Sequence, residues 1–207
     1  KNFSKNGANI FACARTVDDN FTNYLSDLER EFKNKITPIR LDLYSEDQIK
    51  EAASKILKES DNIDILINNA GTIHTALFQM TSVKKLEEIF KINFFSQSMF
   101  TQYIVKSMVK KKNGSITYIS STASIDGNVG RSAYASSKAA INSYAKVLSR
   151  ELGPYNIRVN VIAPGLTDTD MMSTNTPHDI IEKTVANTAL KRIAKPEEIA
   201  NVALFLS

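Results

Sequence analysis

One cysteine, Cys13, and no tryptophan stand among the 207 residues. A lone thiol closes no internal disulfide, so a packed core must hold the fold, and a reducing compartment such as the cytoplasm is the expected setting. No apolar run approaches the ~20 residues that a membrane helix requires, and the lysine-rich start shows no signal-peptide core. Glycine and proline are scarce, at 7 and 5, which excludes collagen-like and low-complexity chains. With 43% hydrophobic and 23% charged residues, the chain can close a core and is not a disordered polymer. His74 and His178 have no cysteine or acidic cluster at metal-ligand spacing, so no metal site is expected.

The charge balance is mildly basic, 26 Lys and Arg against 22 Asp and Glu. A nucleic-acid binder would gather its basic residues with aromatics on one face. Here the only tight run is Lys110, Lys111 and Lys112, placed where a helix end favours cations. The excess points instead to a small anionic ligand, such as a phosphorylated cofactor, with no nucleic-acid and no membrane partner.

Two kinds of segment alternate along the chain. Short runs rich in Ile and Val occur at 9–14, 37–43, 63–68, 115–120 and 157–163, with the weak alternation of buried parallel strands. Pro38 is expected at the start of its strand, where no ladder amide is needed. Helical spacing appears in Ile49, Ala52, Ala53, Ile56 and Leu57 behind Ser45 as an N-cap. It returns from Leu86 to Met108, from Ile141 to Leu152 and over Pro196–Leu206. Alternating strands and helices predict one α/β domain over 1–207, a doubly wound parallel sheet with helices on both faces. Right-handed crossovers place every strand's C-terminal end on one edge, and ligands bind there.

Several residues at that edge carry chemistry. Tyr134 and Lys138 lie four apart near the start of a helix and share a face. Ser121 follows the fourth run, and Asn93 interrupts an apolar helical stripe, so it is expected to point inward with partners. A free phenol titrates near 10, and a cation within about 4–6 Å favours its ionised form. The Ser121 hydroxyl can hold a carbonyl oxygen while Tyr134 donates its proton.

These residues resemble the short-chain dehydrogenase/reductase family over nearly the whole chain. The matching pieces are Asn68-Asn69-Ala70-Gly71, Asn93, Ser121, Tyr134-Ala135-Ser136-Ser137-Lys138, and Asn160-Val161-Ile162-Ala163-Pro164-Gly165 with Thr169. The resemblance implies a Rossmann-type fold in which Tyr134 is the catalytic acid/base and Ser121 orients the substrate carbonyl. Lys138 would hold the nicotinamide ribose and lower the Tyr134 pKa, and Asn93 would anchor a water leading from Lys138 to solvent. The cofactor would also meet Asp42, Leu43, Asn69, Ala70, Gly71, Pro164, Gly165, Thr167 and Thr169. Arg15, directly after the first run, fits the 2′-phosphate of NADP(H), since no acidic residue stands there to bond a ribose hydroxyl. A non-catalytic dinucleotide-binding protein is the alternative, and the presence of both Tyr134 and Lys138 favours an enzyme.

Within the family, Asn68–Met171 is most similar to 3-oxoacyl-[acyl-carrier-protein] reductases, which act in fatty acid synthesis. That likeness implies acyl carrier protein as a partner, with Lys112 at a place such enzymes keep basic. Tyr155, where an arginine is common, and the segment 72–80 depart from it, and a sugar, polyketide or other ketone stays open. The resemblance further implies a homodimer or homotetramer through helices near 83–111 and 133–152. The family's glycine-rich TGxxxGxG turn and its first strand do not occur in this sequence, nor does its last strand. A partial sequence of a longer reductase is therefore expected. The polar stretch Leu166–Leu190 is expected to form a lid, with His178 facing solvent at a helix start.

Overall fold

A computed structural model, describing residues 1–60 and 62–207, turns each apolar run into a strand. These are β1 (Ile10–Ala14), β2 (Ile36–Arg40), β3 (Ile65–Asn68), β4 (Gly114–Ile119) and β5 (Ile157–Ile162). Every pairing is parallel. The strands form two pieces, β1-β2 and β3-β4-β5. No strand pairs with the second edge of β1 or of β3 among the described residues.

Among the described residues ten α-helices surround them: α1 (Asn2–Lys5), α2 (Asp19–Phe32), α3 (Glu46–Glu59), α4 (Val83–Phe90), α5 (Ser96–Lys111), α6 (Ala123–Asp126), α7 (Ser132–Leu152), α8 (Asp170–Asn175), α9 (His178–Asn187) and α10 (Pro196–Phe205). Ser45 caps α3 by accepting from the Gln48 amide, as its position suggests. α2 has no counterpart in the sequence reading. Asp18 caps it, and Phe21, Leu25, Leu28 and Phe32 pack its inner face.

The period of two along β1 separates the layers. Phe11 packs into the main core with Ile39, Ile116, Tyr118 and the inner faces of α3, α5 and α7. Ile10 and Ala12 point the other way, into a smaller cluster under α2. On that second face Ser115 Oγ donates to the Leu206 carbonyl beside α10. Helices thus cover both faces, as a parallel sheet requires.

Pro38 lies in the middle of β2, opposite Ala12, and not at its start. The ladder explains why this is harmless. Ile10 donates to Lys35 and Leu41 donates to Ala14, so the odd-numbered residues of β2 face β1. Position 38 therefore faces the outer edge, where a missing amide costs no ladder bond.

Candidate active site

The strand ends converge on one edge, and each residue singled out there can be followed to its place. Arg15 is exposed immediately after β1. Asp42 turns its carboxylate onto the Tyr44 amide, and Leu43 is buried with its carbonyl taken by Ser96. Asn69 and Ala70 are exposed after β3, and Gln97 fixes the Ala70 carbonyl at 2.6 Å. Pro164 accepts from the Thr122 amide, tying the end of β5 to the end of β4. Gly165 is exposed and Thr167 half-buried. Thr169 caps α8 through the Met172 amide.

Asn93 shows how the floor of the site is built. It is wholly buried and sits in a π-helical turn, Lys91–Phe95, between α4 and α5. Such turns rotate one side chain out of helical register and are frequent at functional sites. Its Oδ1 accepts from the Thr72 amide at 2.8 Å, and its Nδ2 donates to the Thr72 carbonyl at 2.9 Å and to Ser137 Oγ at 3.0 Å. One amide thus clamps the loop after β3 to helix α7.

Lys138 lies beside this clamp. Its side chain is almost fully buried, and Nζ donates to the Ile119 carbonyl at 2.7 Å. Burial without a carboxylate pushes its pKa down to about 8. Nζ also lies 5.8 Å from the centroid of the Tyr134 ring. At Gly71 an added Cβ would stand 3.4 Å from Lys138 Nζ and 3.5 Å from Asn93 Oδ1. An added Cβ would be in ordinary van der Waals contact with both groups, so the loop passes directly beside the amine.

Tyr134 is half-buried. Burial raises the pKa of its phenol, while hydrogen bonding with Ser121 and the charge of Arg131 lower it. The first effect prevails, so the phenol is protonated at neutral pH and available as a donor. Arg131 is a cation that lowers this pKa, while the Lys138 amine lies beside the ring and donates to Ile119. Ser121 Oγ accepts from the Ala123 amide, which fixes the hydroxyl at the strand end.

Arg131 has no counterpart among the residues singled out in the sequence. Its Nη2 donates to the Asn175 carbonyl at 3.1 Å and to Thr176 Oγ1 at 3.4 Å. The nearest sequence signal is its place three residues before Tyr134. His178 opens α9, exposed and beside Glu182, as expected. Tyr144 packs as core against Phe94 and Tyr118.

A nicotinamide cofactor fits this edge. Exposed loop backbone, an amine with a single protein partner and a glycine without a side chain meet at Gly71. Arg15 adds an exposed cation directly after β1.

Several known proteins are similar to this chain. The family model described as short chain dehydrogenase matches residues 1–179. A 3-oxoacyl-[acyl-carrier-protein] reductase of Thermotoga maritima is 35% identical over 99% of this chain and 82% of its own length. The 7alpha-hydroxysteroid dehydrogenase of Escherichia coli K12 is 31% identical over 99% and 79%. A solved 7 alpha-hydroxysteroid dehydrogenase complexed with NADH and 7-oxo glycochenodeoxycholic acid superposes with a TM-score of 0.90 at 30% identity, covering 98% of this chain and 78% of that one. In fold alone, a Beutenbergia cavernae structure described as a putative NAD(P) dependent gluconate 5-dehydrogenase with bound NADP (low occupancy) matches at TM-score 0.91 and 24% identity, covering 99% and 81%. The protein belongs to the short-chain dehydrogenase family.

Proposed function

We propose that this protein reduces a ketone to a secondary alcohol with NADPH, and that its substrate is a 3-oxoacyl thioester carried on acyl carrier protein. The observation that carries the reading is the meeting of Ser121, Tyr134 and Lys138 at the ends of β4 and α7. Bound NADPH would supply the hydride. Ser121 orients the ketone oxygen, and the protonated Tyr134 phenol gives its proton to that oxygen as negative charge develops there. The phenolate left behind is stabilised by Ser121 and Arg131, the groups that already lower its pKa. Lys138, with a pKa of about 8, is mostly charged at neutral pH. Its amine has donor capacity beyond Ile119 for the cofactor ribose.

NADPH is preferred over NADH because Arg15 is exposed at the end of β1, while Asp18, the nearest acid, is occupied in capping α2. The likeness to carrier-protein reductases supports the thioester substrate. Residues 1–207 form one reductase domain in this reading, with a further strand filling the position between β1 and β3. Exposed Val83, Phe95 and Val147, on α4, the π-helical turn and α7, suit a dimer face.

The test is NADPH oxidation by the protein against acetoacetyl thioesters, 7-oxo steroids and keto-sugars. Turnover with the thioester well above the others is expected. Preference for a steroid or sugar overturns the substrate assignment. Absence of turnover on every ketone, with NADPH bound, overturns the enzymatic one.

A further inference from the structure

The segment after β5 is closed at its base and nearly free above it. Thr167 and Ala194 form an isolated bridge, with Asp168 donating to Ala194 and Ala194 donating to Leu166. Between these points α8 and α9 bury no residue. Among the described residues, hydrogen bonds from residues outside 166–194 reach the span 169–187 only at Asn175 and Thr176. They come from Arg131 and from Thr75, whose Oγ1 donates to the same Asn175 carbonyl at 3.5 Å. The loop carrying Thr75 is itself pinned to the Arg131 loop, the Ala76 amide donating to Gly130 at 3.0 Å.

Arg131 therefore faces two ways. It is the residue before α7, three positions ahead of Tyr134 and one helical turn away. Its Nη2 grips the end of α8, while its Nη1 is buried without a hydrogen-bond partner. A buried guanidinium nitrogen left unpaired is costly, and among the described residues no carboxylate pairs with this arginine. The charge stays available to its neighbours.

We propose that Arg131 is a positioning residue that latches the 166–194 segment over the site and, with the same guanidinium, holds a positive charge one turn ahead of the Tyr134 phenol. Seating the segment fixes the arginine, and fixing the arginine favours the phenolate that proton donation creates. Lid closure and proton transfer are thereby coupled. The groups acting on the phenol are Arg131 and the Ser121 hydroxyl, with the Lys138 amine beside its ring. The part concerning the phenol rests on Tyr134 as the proton donor; the latch does not.

Two readouts on the free protein separate these parts from turnover. Tyrosine ring-carbon NMR, with the Tyr134 signal assigned by its loss in Tyr134→Phe, follows the phenol through its titration. Hydrogen exchange follows the amides of residues 170–176. Arg131→Gln is expected to move the Tyr134 titration upward by about one pH unit and to speed exchange several-fold. Arg131→Lys keeps the charge and restores the titration. Thr176→Val is expected to speed exchange and to move the titration upward by less than Arg131→Gln does, and it tests the latch even if Arg131→Gln fails to fold. An unmoved titration in Arg131→Gln overturns the role at the phenol. Exchange at the wild-type rate in both Arg131→Gln and Thr176→Val overturns the latch. A protein inactive on every ketone leaves both readouts meaningful.

Discussion

Raising the pH from neutrality to 10.5 should strengthen the folded protein at one identifiable place, Lys138. The residue is 3% exposed and its amine's single partner among the described residues is a carbonyl, so no opposite charge among them offsets burial. The pKa falls from its ordinary 10.5 to about 8. Below pH 8 both folded and unfolded chains carry the proton, and the folded state bears the full cost of the buried charge. Between pH 8 and 10.5 the unfolded chain holds more protons than the folded one, so stability rises with pH. A gap of roughly 2.5 pH units at about 1.4 kcal/mol each corresponds to roughly 3 kcal/mol. Other groups titrate in the same range, and Lys138→Met isolates this one, since the variant keeps an unbranched side chain of similar length and loses the titrating amine. Urea unfolding of both proteins across the pH series gives the difference directly. The stability of wild type relative to Lys138→Met is expected to rise by roughly 3 kcal/mol over that range. A difference constant to within about 0.5 kcal/mol would refute the claim that this lysine is desolvated and unpaired.

Two further outcomes follow from named contacts. Asn93→Ala removes three hydrogen bonds and orphans both polar groups of the Thr72 backbone. It is expected to cost roughly 2–4 kcal/mol and to lower the melting midpoint by roughly 5–15 °C, read by calorimetry. Arg15→Ala should raise KM for NADPH by roughly 10- to 100-fold and leave KM for NADH unchanged, read in paired cofactor titrations.

Much of the architecture was legible because parallel strands announce themselves as short Ile- and Val-rich runs, and all five lie within a few residues of their expected bounds. The Ser45 cap and the inward Asn93 were legible for a related reason: one needs only local spacing, the other only a polar residue on an apolar stripe. α2 was missed although Asp18, Phe21, Leu25, Leu28 and Phe32 spell a capped amphipathic helix; its first turn is polar and its stripe narrow. Pro38 was misplaced because hydrogen-bond parity belongs to the pairing of two strands and not to either one. In the site, the types and spacing of Tyr134 and Lys138 were visible in the chain. The direction of the Lys138 amine was not, since its partner Ile119 lies on another element. Arg131 stayed hidden because its partners stand 44 and 45 residues away, in a segment with no strong pattern of its own.

The central claim is that the Tyr134 phenol delivers the proton that completes ketone reduction. Its most direct test is Tyr134→Phe, with kcat measured against the preferred ketone and NADPH affinity measured by fluorescence titration on the same sample. Turnover is expected to fall by roughly 100- to 10,000-fold while NADPH affinity stays within a few-fold of wild type. Wild-type turnover in that variant would contradict the claim and leave the phenol a structural group.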